Sequence, residues 1–426
     1  MNNLSEFDLK SLPGEDDIHR KVLSNGIVVL VRENKVSPSV VIKGYLKSGS
    51  LYDPNDKLGL SLFTALSLMR GTNNRSFQEI YNSLESIGAA LGFSSGVHST
   101  TFGGRALVED FSIILEILSD CLRNPNFPKE QIERLRGQWL TRLAIRAQDT
   151  SEMASMVFDE ILFPDHPYGR PEEGFIETIK NISLEDLSKF HKKYYGPETL
   201  VIVVSGGIEP LNAFNLIEKY LGDWNNTNEI EREINVDFSK LNEKIYRHVE
   251  IPGKSQSSLL IGTYGPVRKS QEYLIASLGN SVLGQFGMMG RIGEAVREKE
   301  GLAYYAASSV NSWVMSGSWE VMAGVNPKNI EKARDIIINE LERFINEPVS
   351  NEELNDSKAN FIGRLPLSLE SNDGVASVIL NMERYQLGLD YIRSYPARIN
   401  AIQSEDILEV AKKYIDLNAL LIVSAG

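Results

Sequence analysis

The sequence predicts an α+β protein of two homologous domains, each a mainly antiparallel sheet with helices packed on one face. Three observations lead there. The 426 residues, 42% of them hydrophobic, suffice for two or three domains with ordinary cores. Short β-rich runs are followed by longer runs of helical periodicity. Two stretches of the first half recur in the second, in the same order and at nearly one offset.

The repeat is concrete. SLEDLSKFHKKYYGPETLVIVVSG (183–206) parallels SEDILEVAKKYIDLNALLIVSAG (404–426), each a helix followed by a short strand. At an offset of 220 residues, Glu185 meets Glu405, Asp186 meets Asp406, Lys192-Lys193-Tyr194 meets Lys412-Lys413-Tyr414 and Leu200 meets Leu420. Upstream, KEQIERLRGQWLTRL (129–143) parallels NEELNDSKANFIGRL (351–365) at an offset of 222.

In chain order, residues 1–17 form an N-terminal extension. NGIVVLVREN and SVVIKGYLKSGS read as strands. Helices are expected over 57–70 and 77–87, then strands within 91–108. A long helical stretch, 110–163, breaks near Asn124–Pro128. The first domain is placed at 18–225. Residues 226–244 are polar and charged, as a linker is. The second domain is placed at 245–426.

Composition narrows the function. A net charge of −13 argues against nucleic acid and against anionic membranes as main partners. The one cysteine, Cys121, lies in the apolar run IILEILSDCL and reads as a buried thiol. MNNLSEFDLKSLPGEDD has no apolar segment of the signal-peptide kind, and no stretch approaches a membrane span. The expectation is a soluble, cytoplasmic chain.

No catalytic constellation stands out. The five histidines, His19, His98, His166, His191 and His248, are never three, four or five apart, so no helix can present a zinc pair. His98 would alternate on a strand, and His191 sits on an amphipathic helix. Gly284, Gly287, Gly290 and Gly293 recur every third residue but match neither phosphate-binding pattern. They read as close packing or a loop. No Ser-His-Asp set is apparent.

GLSLFTALSLMRGT (59–72), LSNGIVVLVRENKVSPSVVIKGYLKSGSLYDP, HPYGRPEEGFIETIKNISLEDLSKFHKKYYGPETLVIVVSGGI (166–208) and REKEGLAY (297–304) carry a resemblance. The chain resembles the pitrilysin/insulinase/mitochondrial processing peptidase family of zinc metallopeptidases, whose helix bears HxxEH. The likeness covers nearly the whole chain, and the family's two similar α+β domains fit the duplication. Its metal helix reads much like GLAHFLEHMLFKGT. Laid on residues 59–72 without a gap, that motif puts the ligand, base and ligand on Leu62, Ala65 and Leu66. The third ligand, a Glu, falls on Arg142 or Leu143. By this resemblance the zinc motif is degenerate. The stripe Leu58, Leu62, Phe63, Leu66, Met69 is expected to be core, and no independent zinc peptidase activity is expected.

The resemblance also implies what is kept. Family members carry an Arg and, seven residues later, a Tyr that reach a zinc centre in another domain. Arg297 and Tyr304 have that spacing, with Tyr305 as the alternative donor. The Arg holds the substrate backbone, and the Tyr donates a hydrogen bond to the scissile carbonyl. Some bacterial members divide the work between an HxxEH chain and one lacking it. The implied function is the non-catalytic subunit of a heterodimeric zinc metallopeptidase. Zinc would sit on the HxxEH-bearing partner, and the substrate would be an extended peptide added to a sheet edge. The alternatives are an inert structural or assembly protein of the same fold and a peptide-binding module acting alone.

Overall fold

The computed structural model describes residues 11–226, 241–285, 287 and 290–426. Most of the expected linker and of the expected N-terminal extension lies outside the described residues. The strands are β1 (His19–Val22), β2 (Val28–Glu33), β3 (Ser39–Leu46), β4 (Ala90–Ser95), β5 (Thr100–Leu107), β6 (Val201–Gly206), β7 (Ile245–Val249), β8 (Ser257–Gly265), β9 (Ala303–Ser312), β10 (Gly317–Val325) and β11 (Leu421–Ala425). The first eight helices are α1 (Leu60–Ser67), α2 (Phe77–Ser86), α3 (Phe111–Arg123), α4 (Lys129–Arg146), α5 (Thr150–Leu162), α6 (Ile176–Asn181), α7 (Leu184–Tyr194) and α8 (Pro210–Leu221). The remainder are α9 (Gln271–Gly284), α10 (Gly290–Gly293), α11 (Ile330–Asn346), α12 (Asn351–Gly363), α13 (Leu365–Ser368), α14 (Asn372–Arg384), α15 (Tyr391–Ala401) and α16 (Ser404–Tyr414).

There are two compact units, each with its own sheet. One takes the described residues up to 143, from 171 to 226 and from 366 to 393; the other takes 144–170, 241–365 and 394–426. Sequence continuity suggested contiguous domains at 18–225 and 245–426. The units instead exchange segments: 144–170 lies with the second sheet and 366–393 with the first. The repeat marks which segments correspond. It does not say which sheet each segment covers.

Among the described residues, the first sheet has the order β1-β2-β6-β3-β5-β4, with β2 and β6 as its one parallel pair. The second has the order β7-β11-β8-β10-β9, with β7 and β11 as its one parallel pair among the described residues. The repeat explains the likeness. α7 leads into β6 beside β2, and α16 leads into β11 beside β7. Parallel neighbours need such a crossover, which a hairpin cannot supply.

One face of each sheet meets the main helical layer. In the first unit Val29, Val31, Val40, Ile42, Ile202 and Val204 join residues of α1, α3 and α7 in one apolar cluster. In the second unit Leu259, Ile261, Trp319, Val321 and Ala323 join residues of α9, α11 and α16. The opposite faces are covered too. Leu30, Val41, Tyr45 and Val203 are buried on the far side of the first sheet, where α14 lies against β3 and β6. Lys43 Nζ meets Asp373 and Ser377, both at 2.7 Å, and the Arg384 guanidinium stacks 4.6 Å from the Tyr45 ring centre. In the second unit α5 lies against β8 and β11. Burial on both faces is why VIVVSG and SSLLIGTYG show no polar alternation.

Local chemistry sets the boundaries. The stretch 110–163 breaks twice, near Asn124–Pro128 and again before α5. There Asp149 caps the new helix, accepting from the amides of Ser151 and Glu152 at 2.8 and 2.9 Å. His98 sits in the turn between β4 and β5 rather than within a strand. Cys121 is buried on α3, and desolvation pushes its thiol up to about 12. No helix among the described residues is long and apolar enough to cross a membrane.

Candidate functional site

The degenerate motif occupies α1. Its N-terminus is closed by Asp53, a carboxylate 3% exposed that accepts the amides of Gly59 and Ser61, both at 2.9 Å. Gly59 has φ +92°, and a Cβ there would come within 2.7 Å of Ile179 Cδ1 and 2.9 Å of the Glu173 carbonyl oxygen. Backbone angle and crowding both demand glycine.

Ala65 is fully buried, Leu62 is 6% exposed, and Leu66 packs partly buried against the core. Phe63, Ala65 and Met69 belong to the first apolar cluster, whereas Leu58 and Leu62 are buried outside it. The expected stripe is therefore only partly core, although Leu60, the first residue of the helix, does belong to the cluster. On α4, Leu143 is 2% exposed within the same cluster, and its neighbour Arg142 points outward. Arg142 Nε pairs with Glu173 Oε1 at 2.7 Å, while Trp139 Nε1 donates to the Glu173 carbonyl at 3.1 Å. The positions that the resemblance aligns with zinc ligands all lie in the first unit, where they hold apolar groups and an ion pair. Among the described residues no group of three or more His, Cys, Asp or Glu could hold a metal ion. These side chains do not fit zinc, and no hydrolytic step can be built on them.

The second pair sits on two local irregularities. α10 continues into a π-helix, Glu294–Lys299, which carries Arg297. Such wide turns are rare and concentrate at functional sites. The segment is anchored at its start. Arg291 is 8% exposed and binds Glu353 of α12 through two hydrogen bonds of 2.7 Å. That guanidinium holds the Glu353 carboxyl down at about 2. The segment is released at its end. Gly301 has φ +62° and open space on its Cβ side. Arg297 itself is partly exposed, its Nε 3.4 Å from Glu298 Oε1.

Tyr304 follows at the start of β9, an edge strand. Ala303 pairs with Val325 and Tyr305 with Gly324, so Tyr304 is the extra residue of a bulge. Bulges re-aim side chains, and this phenol is 84% exposed. Tyr305 instead lies flat on Gly324, where an added Cβ would stand 2.5 Å from its Cε1. Arg297 and Tyr304 lie in one unit, at either end of the turn through Gly301, with no hydrogen bond between them. Sequence reading passed over Glu320 of β10, whose carboxyl accepts from Asn311 Nδ2 at 2.9 Å and is raised above the ordinary carboxylate pKa by desolvation. Its only signal is a charge in the otherwise uncharged strand GSWEVMAGV.

Comparison with known proteins gives the family and the fold. Residues 28–173 match the model of the insulinase family, peptidase family M16, and residues 181–361 match that of the peptidase M16 inactive domain. An uncharacterized zinc protease of Streptomyces coelicolor is 22% identical over 427 residues, covering 95% of this chain and 88% of that protein. Another, from Bacillus subtilis, is 25% identical over 361 residues, covering 84% and 86%. A solved peptidase M16 inactive domain from Pseudomonas fluorescens superposes with a TM-score of 0.90 at 23% identity, covering 96% of this chain and 97% of that one. A Helicobacter pylori protease gives 0.89 at 21% identity, covering 97% and 100%. At these identities the solved structures establish the fold.

Proposed function

Because the chain belongs to the insulinase-type peptidase family M16 and lacks that family's ligands and base, we propose that it is the non-catalytic subunit of a two-chain zinc metallopeptidase. The observation that carries this reading is the setting of Tyr304. A large aromatic residue 84% exposed, on a bulge of an edge strand, has no packing role in its own unit. A hydrogen-bond donor presented this way suits a substrate carbonyl. Arg297, on the preceding π-turn, supplies donors for a peptide backbone. Zinc and the water-activating base would come from a homologous HxxEH-bearing partner. The free edges β4 and β9 suit an extended peptide, which gains backbone hydrogen bonds largely independent of its sequence.

The test is reconstitution. This chain and an HxxEH-bearing homologue from the same genome are purified separately, mixed, and assayed on an unstructured fluorogenic peptide. Hydrolysis should require both chains. Tyr304→Phe should lower the rate of the pair by ~10²–10³, the usual effect of removing one oxyanion donor. Hydrolysis by this chain alone with stoichiometric zinc would overturn the reading. A pair indifferent to Tyr304→Phe would favour a purely structural subunit.

A further inference from the structure

The short 3-10 turn that follows α1, Leu68–Arg70, ends on a cation with no counter-ion. The backbone beyond it is tied to the start of α4. Asn126 donates its amide to the Gly71 carbonyl at 3.2 Å and its side-chain Nδ2 to the Thr72 carbonyl at 2.7 Å. A Cβ at Gly71 would stand 2.6 Å from Pro128 Cγ, one residue before α4 begins. Arg70 also meets α2. There Phe77 and Tyr81 lie one turn apart, with ring centres separated by 4.6 Å. The Arg70 guanidinium carbon sits 5.4 Å from the Phe77 ring centre.

The charges around this cation are the wrong ones for a structural ion pair. Desolvation lowers the pKa of Arg70 below its ordinary value; the Tyr81 phenol opposes that shift, and Arg134 of α4 adds to it. The charged neighbour of a partly desolvated guanidinium is thus a second guanidinium. Neither Arg70 nor Arg134 forms an ion pair or side-chain hydrogen bond with a described residue. Other arginines nearby in the sequence are paired: Arg75 with Asp120 at 3.0 Å, Arg136 with Glu133 at 3.2 Å and Arg142 with Glu173 at 2.7 Å. In a chain with 57 acidic and 44 basic residues, two neighbouring cations without a carboxylate reverse the overall balance. Like charges repel, and a desolvated one is costly unless an anion joins it. The approach is open. Arg134 is exposed, and a Cβ at Gly137, one turn further along the same helix face, would meet nothing within 4 Å.

We propose that Arg70, Arg134 and the Tyr81 hydroxyl form a binding site for a phosphate group. Two guanidinium groups match the charge of a phosphate dianion. Their forked N–H groups and the phenol supply donors for its oxygens. A carboxylate would neutralise only one of the two cations. The Phe77 ring steadies the Arg70 guanidinium and leaves its N–H donors for the anion. The site lies in the first unit and owes nothing to Tyr304, so it stands or falls separately from the peptidase reading.

The probes are inorganic phosphate and phenyl phosphate, read by phosphorus NMR line broadening with the full-length chain in a phosphate-free buffer of fixed ionic strength. Broadening should saturate; sulfate should reverse it and acetate should not. Arg70→Gln and Arg134→Gln should each weaken binding about tenfold, the usual scale of a charge-assisted hydrogen bond. Tyr81→Phe should weaken it about threefold. Arg70→Lys, which keeps the charge without the fork, should fall between wild type and Arg70→Gln. Binding of both probes supports the site and admits a phosphate ester as its source; binding of inorganic phosphate alone supports it with the free ion as source. Stability separates binding from structure. Without phosphate, Arg134→Gln should leave the melting temperature unchanged or raise it, because a like charge is removed. The proposal fails if neither probe is broadened, if broadening survives Arg70→Gln, if acetate competes as well as sulfate, or if Arg134→Gln melts lower in the absence of phosphate.

Discussion

A methyl group at Ala65 and a guanidinium at Arg142 show what a metal site in the first unit would have to displace. Ala65 is fully buried among apolar neighbours. Putting the family's Glu back there would bury an unpaired carboxyl, and Ala65→Glu should cost roughly 3–5 kcal/mol, read by urea denaturation. The triple change Leu62→His, Ala65→Glu, Leu66→His should still not bind stoichiometric zinc, because Leu143 gives no third donor and Arg142 is already paired with Glu173. Metal content after dialysis measures this. Tyr304 predicts the opposite behaviour. An exposed phenol can be lost without loss of stability, so Tyr304→Phe should leave the melting temperature unchanged while lowering the rate of the reconstituted pair.

Single elements respond to acid in two separate windows. On α7, His191 Nε2 lies 2.8 Å from the Leu122 carbonyl oxygen, and enclosure pulls its pKa down to about 4 from an ordinary 6.5. The unfolded chain therefore takes up this proton first, and stability should fall as pH drops from 6.5 towards 4. Glu353 acts lower down. Held at about 2 by Arg291, against an ordinary 4.5, it stabilises the α10–α12 contact fully above pH 4.5. That contribution should disappear as pH falls through about 2. Denaturation curves from pH 7 to 2 should show both losses, and Glu353→Gln should flatten the lower one alone. Hydrogen exchange of residues 294–302 should also quicken in Glu353→Gln, since that ion pair is the buried anchor of the Arg297 turn.

In the whole molecule, each half of the sequence supplies a helix to the other half's sheet. Without 144–170, the second sheet would expose Leu260, Tyr264 and Val423, all buried in the complete chain. Residues 241–426 produced alone should therefore be aggregation-prone or lack near-ultraviolet circular dichroism. Co-expression with residues 1–226 should restore a soluble complex. A separately soluble, cooperatively melting half would contradict the exchange.

The sequence by itself determined the α+β class, the repeat, and many of the strands and helices of the first half. It also showed that no two histidines have the spacing of a metal helix. These are legible because periodicity and residue chemistry act over a few neighbours, and ligand loss is a matter of residue type. Only the tertiary structure decided which sheet α5 and α14 cover, since an apolar helix face carries no address for its partner. It alone revealed that Leu62 is buried outside the main cluster and that Arg142 pairs with Glu173. The bulge at Tyr304 and the desolvated carboxyl of Glu320 belong to the same class. Both depend on the register between β9 and β10, which is set by long-range pairing that no local pattern records.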